Sequence, residues 1–224
     1  MKYRKLTTLV VFSSIIGTTF LNSATPVFAH IVSDKGIPTT THYDFKEIMY
    51  DLSHGYAFIP DKALKKYANI FLCNNDYNAD IPIENAEKLE RLGIDNTSGI
   101  KDFRGINQFK NLKVLSYSYL TGEESPKDDL GDNIKNLNEI GQLSNLKWLT
   151  FESNVTNLNF LRENTSIERL LVKSNKLNDL SELFNLSNLE WVILKDIPYT
   201  QYNDSMLKDL KELHPDMKIE VSWG

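Results

Sequence analysis

Residues 167–194 decide the fold, and they read IERLLVKSNKLNDLSELFNLSNLEWVIL. The first part places apolar residues at strand spacing and an asparagine, Asn175, where that strand would end. The later apolar residues recur at every third position, which suits a tight 3₁₀-like segment better than an α-helix. The pattern begins again at Leu189, 22 residues after Ile167. We therefore expect a coil that must stack on similar coils to bury its apolar side.

The same spacing occurs five times, which is the signature of a leucine-rich repeat array. The repeats start at Leu89, Leu112, Leu146, Ile167 and Leu189. In the motif L-x-x-L-x-L-x-x-N-x-L, the residues before the asparagine form a short parallel strand. The Asn175 amide is expected to bond main-chain groups of its own turn and of the neighbouring one. The pattern predicts an α/β solenoid, a right-handed coil with a parallel concave sheet.

The N-terminus has the features of a secretory signal peptide. Three basic residues precede an apolar run at 9–21, and a small-residue cleavage site follows at 27–29. An uncleaved membrane anchor is the alternative, but the apolar run is short and is interrupted by serine and glycine. Since no second long apolar run and no sorting signal occurs, we expect a secreted, extracellular protein. A secreted chain of this size without disulfides is typical of a Gram-positive bacterium.

Charge and cysteine content exclude several classes of protein. Removal of residues 1–29 leaves 22 basic and 30 acidic residues, a formal charge of −8. Such an acidic domain is unsuited to binding nucleic acids or anionic lipids. The single cysteine, Cys73, excludes an internal disulfide, and its place at the apolar end of a predicted helix favours a buried thiol. We expect a monomer whose stability comes from its hydrophobic core, without a disulfide.

Five segments are predicted along the chain. They are the signal peptide at 1–29, a flexible leader at 30–42, a helical N-terminal cap at 43–88, the five repeats at 89–194 and a C-terminal capping unit at 195–224. The N-terminal cap should contain two helices, the second beginning near Pro60 and Asp61, and should cover the first coil. In the C-terminal cap, a helix is predicted at 205–213, followed by a last strand.

An acidic insertion interrupts the repeats. The second and third repeat starts are 34 residues apart, which exceeds the 22-residue period by 12. The extra segment, near 118–133, is rich in acidic residues and glycine and should project as a loop from the rim of the sheet. Such insertions often bind partners, but a tolerated solvated insertion explains the segment equally well.

Residues 76–87 place oxygen-bearing side chains at the spacing of an EF-hand calcium loop. The candidate ligands are Asp76, Asn78, Asp80 and Glu87. The sixth position departs from that motif, because Ile81 replaces the glycine that the sharp turn needs. Two hypotheses follow: a calcium site, or a degenerate loop that keeps only the turn and the start of a helix. No other cofactor is expected.

Outward-facing strand positions form two columns across the predicted sheet. They bring two solvent-facing tryptophans and two aliphatic residues together, with charged neighbours around them. This composition is typical of a protein-binding hot spot. The alternatives are that the C-terminal unit folds over part of the surface, or that Trp191 only packs on the aliphatic part of a neighbouring side chain. The predicted partner-binding residues are Arg91, Val114, Trp148, Arg169, Leu171, Trp191 and Ile193.

No catalytic residues are predicted. The sequence has no nucleophile elbow, no phosphate-binding glycine loop and no zinc-ligand spacing. None of its four histidines lies in a repeat strand. We therefore expect a non-enzymatic protein, since a hydrolase would need a site assembled from distant positions.

The signal peptide, the cap segment PDKAL at 60–64 and repeats such as NKLNDLSEL at 175–183 resemble the internalin-type family of bacterial leucine-rich repeat proteins. The resemblance covers residues 59–194. It implies a curved solenoid whose concave face binds a partner protein, often on a host cell, and so a role in virulence. The short array without a wall-binding module suggests a freely secreted member. The alternative function is a carbohydrate- or cell-wall-associated protein whose tryptophans stack on sugar rings.

Overall fold

The computed structural model describes residues 50–119 and 133–224. The predicted signal peptide, the leader, most of the first cap helix and most of the acidic insertion lie outside these residues. The chain divides into two compact units, 1–52 and 53–224, and all the repeats belong to the second. Residues 50–53 are helical.

Six short parallel strands form one open sheet, in the order of the sequence. They are β1, Arg91–Asp95; β2, Val114–Ser118; β3, Trp148–Glu152; β4, Arg169–Lys173; β5, Trp191–Ile197; and β6, Lys218–Trp223. Each of the first five begins two residues after a predicted repeat start. Because the register is constant, the first residues of β1 to β5 are direct neighbours across the sheet.

Within the described residues, a helical segment lies between each pair of consecutive strands, and two more helices precede β1. The 3₁₀ turns are Ile106–Gln108, Asn159–Leu161 and Ser181–Asn185, and the α-helices are α1, Lys62–Phe71; α2, Ile83–Ala86; α3, Asn138–Gly141; and α4, Gln201–Leu213. The third-position apolar spacing correctly predicted the 3₁₀ turns. The leucine-rich repeat α/β solenoid is therefore confirmed as the fold class. No helix in residues 50–119 or 133–224 is long and apolar enough to cross a membrane.

The core lies between the sheet and the short helices. Inward-facing leucines of every coil are buried, and a row of rings fills the middle coils. The ring centroids of Phe103 and Tyr117 are 5.6 Å apart, those of Tyr117 and Phe151 are 5.4 Å apart, and those of Phe151 and Phe160 are 5.3 Å apart. Burial of each such side chain contributes roughly 1.5–3 kcal/mol, so stacking of coils stabilises the fold.

The phenol of Tyr117 should make the free energy of unfolding depend on pH in the alkaline range. Burial, with smaller effects from Asp61 and Asp95, raises the pKa of Tyr117 to about 12. Since the unfolded phenol loses its proton at lower pH, the free energy of unfolding should fall as pH rises from the ordinary tyrosine pKa towards 12. Urea titrations between pH 8 and pH 11 would measure this fall. Tyr117→Phe should flatten it; an equally steep fall in the variant would contradict the assignment.

Side-chain amides join neighbouring coils at a position that the motif did not predict. Asn111, Asn145 and Asn188, each directly before a repeat-starting leucine, donate to main-chain oxygens of the preceding coil at 2.7, 2.8 and 2.5 Å. At the end of β4, Asn175 is exposed. Its neighbour Ser174 is buried, and the Ser174 hydroxyl donates to Val155 O of the preceding coil at 2.8 Å.

The N-terminal part of the second unit is joined to the first coil by polar contacts. Asp61 caps α1, since one carboxylate oxygen accepts bonds from Ala63 N at 2.9 Å and Leu64 N at 3.0 Å. Its other oxygen accepts a bond from Lys101 N at 2.9 Å. The predicted start of this helix is thus correct. At the far end of α1, the ring of Phe71 lies against Gly93 of β1, where a Cβ would come within 3.0 Å of it.

Three expectations near the ends of the array are wrong. Cys73 is exposed and has a φ of 58°, because α1 ends at Phe71 and the chain turns there. Strand β5 continues to Ile197, past the predicted end of the repeats. Helix α4 begins at Gln201 and not at 205, because Thr200 caps it by accepting a bond from Asn203 N at 3.0 Å.

Candidate functional site

The candidate site is the outward face of the sheet, formed by the first, third and fifth residues of each strand. The second and fourth residues of β1 to β5 are buried, so the outward residues are not needed by the core. The seven predicted binding residues all lie on this face and are exposed or half-buried: Arg91, Val114, Trp148, Arg169, Trp191, Leu171 and Ile193.

Four side chains of the first column, Trp148, Arg169, Trp191 and Lys218, form a stack that we name the Trp–Arg ladder. The Arg169 guanidinium carbon lies 5.6 Å from the ring centroid of Trp148 and 5.8 Å from that of Trp191. The Lys218 ammonium lies 5.5 Å from the Trp191 ring. Each cation–π contact contributes roughly 0.5–1 kcal/mol at an exposed site, so the ladder holds its own side chains in place.

Strand β6 covers part of Trp191. Trp148 is 43% exposed, whereas Trp191 is half-buried between its neighbours. The Trp191 indole N–H donates to a carboxylate oxygen of Glu220 at 3.1 Å, which fixes the orientation of the ring. The expectation of two solvent-facing tryptophans therefore holds for Trp148, and the alternative of partial covering by the C-terminal unit applies to Trp191.

Two residues of the site escaped the sequence-based prediction. Lys218 continues the first column and Glu220 continues the second, because β6 pairs with β5 in the register of the other strands. Because the last strand is predicted as part of the separate C-terminal cap, both predicted columns end at β5. The alternation of Met217, Ile219 and Val221 was a signal that could have extended them.

The rest of the face places an apolar centre inside a charged rim. Leu171 and Ile193 are half-buried neighbours in the second column, beside the ladder. Salt bridges lie beside the strands of this face: the exposed pairs Lys147–Glu168 at 2.7 Å and Lys113–Glu90 at 2.8 Å, and the largely buried pair Lys173–Asp196 at 3.3 Å. The two exposed pairs contribute roughly 0–1 kcal/mol each, so they affect specificity more than stability.

A groove opens beside the ladder. It has a volume of about 500 Å³, and its lining includes the ladder residues Arg169, Trp191 and Lys218. Leu213, Pro215 and Met217 of the C-terminal segment also line it, together with the polar residues Glu190, His214 and Asp216. A groove that combines an aromatic ring, charges of both signs and apolar side chains can accept an apolar side chain next to a polar group of a partner.

Of the predicted residues at the N-terminal end of the face, Arg91 is separate from the ladder. Val114 is the direct neighbour of Trp148, but Arg91 lies one strand further away. Exposed Ile70 and Phe71 of α1 flank this end of the sheet, since Phe71 lies over Gly93. The structure therefore divides the predicted residues into a ladder region and a smaller region around Arg91.

Two of the four candidate calcium ligands form salt bridges, and a third accepts a main-chain bond within the loop. Asp76 accepts a bond from Asn78 N at 2.9 Å, Asp80 pairs with Lys65 at 2.8 Å, and Glu87 pairs with Lys110 at 2.7 Å. Ile81 is fully buried and its carbonyl accepts a bond from Ala57 N. Within the described ranges, no group of three His, Cys, Asp or Glu residues could hold a metal ion. The loop leads into α2, and both the calcium site and the degenerate loop stay predictions.

Comparison with known proteins gives structural neighbours only. No protein-family model matches the chain, and no curated protein matches it. A solved internalin C2 of Listeria monocytogenes is similar at 20% identity and a TM-score of 0.37, over 75% of this chain and 85% of that one. Another internalin of L. monocytogenes is similar at 17% identity and a TM-score of 0.30, and a leucine-rich repeat protein of Leptospira interrogans at 20% and 0.32. These matches cover 63% and 52% of this chain, which spans about half and about a third of those two proteins, at 52% and 35%.

Proposed function

We propose that this chain is a secreted, non-enzymatic binding module that recognises a protein partner through the outward face of its sheet. One observation carries the proposal: the Arg169 guanidinium is held between two indole rings on the side of the sheet that the core does not use. We further propose, on the resemblance to internalins alone, that the partner is a host protein and that binding contributes to virulence.

The composition of the ladder supports protein recognition. Tryptophan and arginine are the residues most enriched in protein-binding hot spots, where they supply a large contact area and directed hydrogen bonds. Because the rings and the guanidinium already support one another, they lose little conformational freedom when a partner binds. The salt bridges around them form a polar rim like that of protein interfaces.

Carbohydrate binding is the weaker alternative. A sugar ring stacks on an exposed indole face, and the Trp191 ring already has cations on it, from Arg169 and from Lys218. The Trp148 ring also has Arg169 against it. A sugar that stacked on one of these occupied faces would have to displace the cation from it.

The test is to measure binding of the labelled protein to cultured animal cells, with Trp148→Ala as the variant. We expect saturable binding to intact cells that is lost after the cells are treated with protease. Loss of the exposed Trp148 ring should raise Kd tenfold or more, a change of about 1.4 kcal/mol or more. The variant should stay folded and lose at most about 1 kcal/mol of stability, from the contact with Arg169, because the ring is outside the core.

The matched control is Tyr77→Ala, which removes an exposed aromatic ring that lies outside the sheet. This variant should bind as the wild type does. Binding that survives protease treatment and is competed by purified wall polysaccharide would instead support the carbohydrate alternative. Unchanged binding by Trp148→Ala would show that the ladder is not the site.

A further inference from the structure

The guanidinium of Arg169, in the middle of the Trp–Arg ladder, has no oxygen acceptor among the described residues. Its carbon lies 5.6 and 5.8 Å from the ring centroids of Trp148 and Trp191. A guanidinium carries several N–H donors, and an indole ring attracts its charge without satisfying these donors as an oxygen would. No carboxylate, carbonyl or hydroxyl oxygen in residues 50–119 and 133–224 accepts a hydrogen bond from them. Water therefore solvates these donors in the free protein.

Lysines that precede the neighbouring strands differ from Arg169 in this respect. Lys147 forms a salt bridge with Glu168 at 2.7 Å, and Lys113 forms one with Glu90 at 2.8 Å. Glu168 directly precedes Arg169 in the chain, yet its carboxylate binds Lys147 and not Arg169. Arg169 begins β4, which lies between β3 and β5, so its lack of an acceptor is not a feature of either end of the sheet.

The first column of the outward face carries positive charge only. In strand order, its residues are Arg91, Val114, Trp148, Arg169, Trp191 and Lys218. The formal charge of the whole chain is −5, so the column is opposite in sign to the net charge of the protein. The carboxylates of Glu190 and Asp216 line the groove beside the column, but neither forms a salt bridge with Arg169. The column therefore favours a negatively charged group of a partner.

A partner that covers the ladder must replace the water around Arg169. Removal of a charged group from water is strongly unfavourable unless a counter-charge or an acceptor takes its place. An ionised carboxylate is the best match, since its two oxygens can accept two parallel bonds from one guanidinium. We propose that the partner protein places an aspartate or glutamate side chain against Arg169. This inference rests on the proposed function, because a partner on the ladder is what removes the water.

The surroundings of Arg169 also define what lies next to the carboxylate. Leu171 follows Arg169 by two residues on β4, and Ile193 is the neighbour of Leu171 on β5. Both aliphatic side chains are half-buried. Because a strand rises about 3.3 Å per residue, the two columns are about 7 Å apart, and alternate residues of an extended segment have the same separation. The partner motif is therefore an acidic residue and an apolar residue two positions apart.

An anionic sugar is the competing source of negative charge. Its carboxylate or sulfate oxygens would also accept bonds from Arg169. Such a sugar brings no apolar side chain to cover Leu171 and Ile193, whereas a peptide segment does. The aliphatic pair beside the guanidinium thus favours a protein partner.

The test begins with the selection of short random peptides, displayed on phage, against the full chain in the form its own cells produce. We expect enrichment of peptides that carry an aspartate or glutamate two positions from an apolar residue. One enriched peptide is then synthesised together with its amide version, in which asparagine or glutamine replaces the acidic residue. Fluorescence anisotropy measures the Kd of both peptides for the wild type, for Arg169→Gln and for Trp148→Ala.

The wild type should bind the acidic peptide at least about tenfold more tightly than the amide version. Arg169→Gln should bind the two peptides equally, because the group that distinguishes them is gone. If Arg169 only held the two rings in place, its loss would weaken both peptides alike and the preference would remain. The matched control is Lys66→Gln, which removes one positive charge from an exposed position on α1 and should keep the full preference.

Further outcomes would overturn the proposal. Selection may yield no acidic peptides, or Arg169→Gln may keep the preference for the carboxylate; in either case the acidic contact is wrong. If heparin binds the wild type but not Arg169→Gln, and no acidic peptide is enriched, the cation binds an anionic sugar instead. Circular dichroism checks folding. If Arg169→Gln does not fold, Arg169→Lys replaces it, and an unchanged preference in that variant would contradict the two parallel bonds.

Trp148→Ala separates this proposal from the proposed function. If Trp148→Ala weakens the acidic peptide and Arg169→Gln does not, the ladder is a binding site and only the contact with Arg169 is wrong. If neither variant weakens it, the peptide binds outside the ladder and this proposal fails, while the measurement on cells still decides the proposed function.

Discussion

Gly105→Ala should destabilise the protein by about 3 kcal/mol or more, a large part of the roughly 5–15 kcal/mol that stabilises a typical domain. Gly105 has a φ of 88°, and a Cβ there would overlap the main-chain carbonyl of Phe58. That carbonyl cannot move freely, because it accepts a bond from the buried Gln108 amide at 2.9 Å. The Gly105 N–H also donates to the Glu139 carboxylate at 2.7 Å. Chemical denaturation of the variant measures the loss.

Gly99→Ala separates the close approach from the cost of the backbone conformation. Gly99 has a similar φ of 79°, but a Cβ there would meet nothing within 4 Å. Its substitution should lower the free energy of unfolding by only roughly 1–2 kcal/mol. This is the cost of placing a residue with a side chain in the left-handed backbone region. Equal losses in the two variants would show that the contact with Phe58 does not hold the segment before α1 against the first coil.

Asn164→Ala should lower the free energy of unfolding by about 3 kcal/mol, because it leaves several buried main-chain groups without partners. The Asn164 carboxamide oxygen accepts bonds from Ser166 N at 2.9 Å and Ile167 N at 3.0 Å. Its amide group donates to Leu143 O of the preceding coil at 3.0 Å. The side chain is fully buried, so water cannot replace these bonds. Thermal and urea unfolding would measure the effect.

Asn188→Ala is the matched control for Asn164→Ala. The Asn188 amide also donates to the preceding coil, at Thr165 O, but in an exposed position. Water can take over that bond, and the loss should stay below about 1 kcal/mol. If both variants lose the same stability, burial is not what makes the Asn164 bonds important.

The strands and the face that carries the candidate site were predictable because both follow from a local pattern. The apolar spacing fixes which residues of a strand point inward, and the constant period fixes the register between strands. Trp148 and Trp191 could therefore be placed in one column before any coordinates were known. Residues with the same repeat position must become neighbours in a stack.

The wrong predictions arose where a repeat departs from the 22-residue period, or where a polar contact determines the start of a helix or the link between two coils. From Trp191 to Lys218 the chain takes 27 residues, so the sixth strand did not match the 22-residue pattern. The start of α4 depends on the Thr200 cap and not on apolar spacing. Which asparagines bond the neighbouring coil depends on the path of the chain before each strand, and Asn111, for example, lies outside the consensus position.

The order of the strands in the sheet also bears on how such a chain can evolve. Every strand pairs only with the strands next to it in sequence, so no coil depends on residues several coils away. Duplication or deletion of one 22-residue unit would therefore leave all other interfaces intact, provided that both ends keep their caps. Such an event would add or remove the outward-facing residues of one strand. The binding face could therefore change by a whole strand at a time as well as by single substitutions.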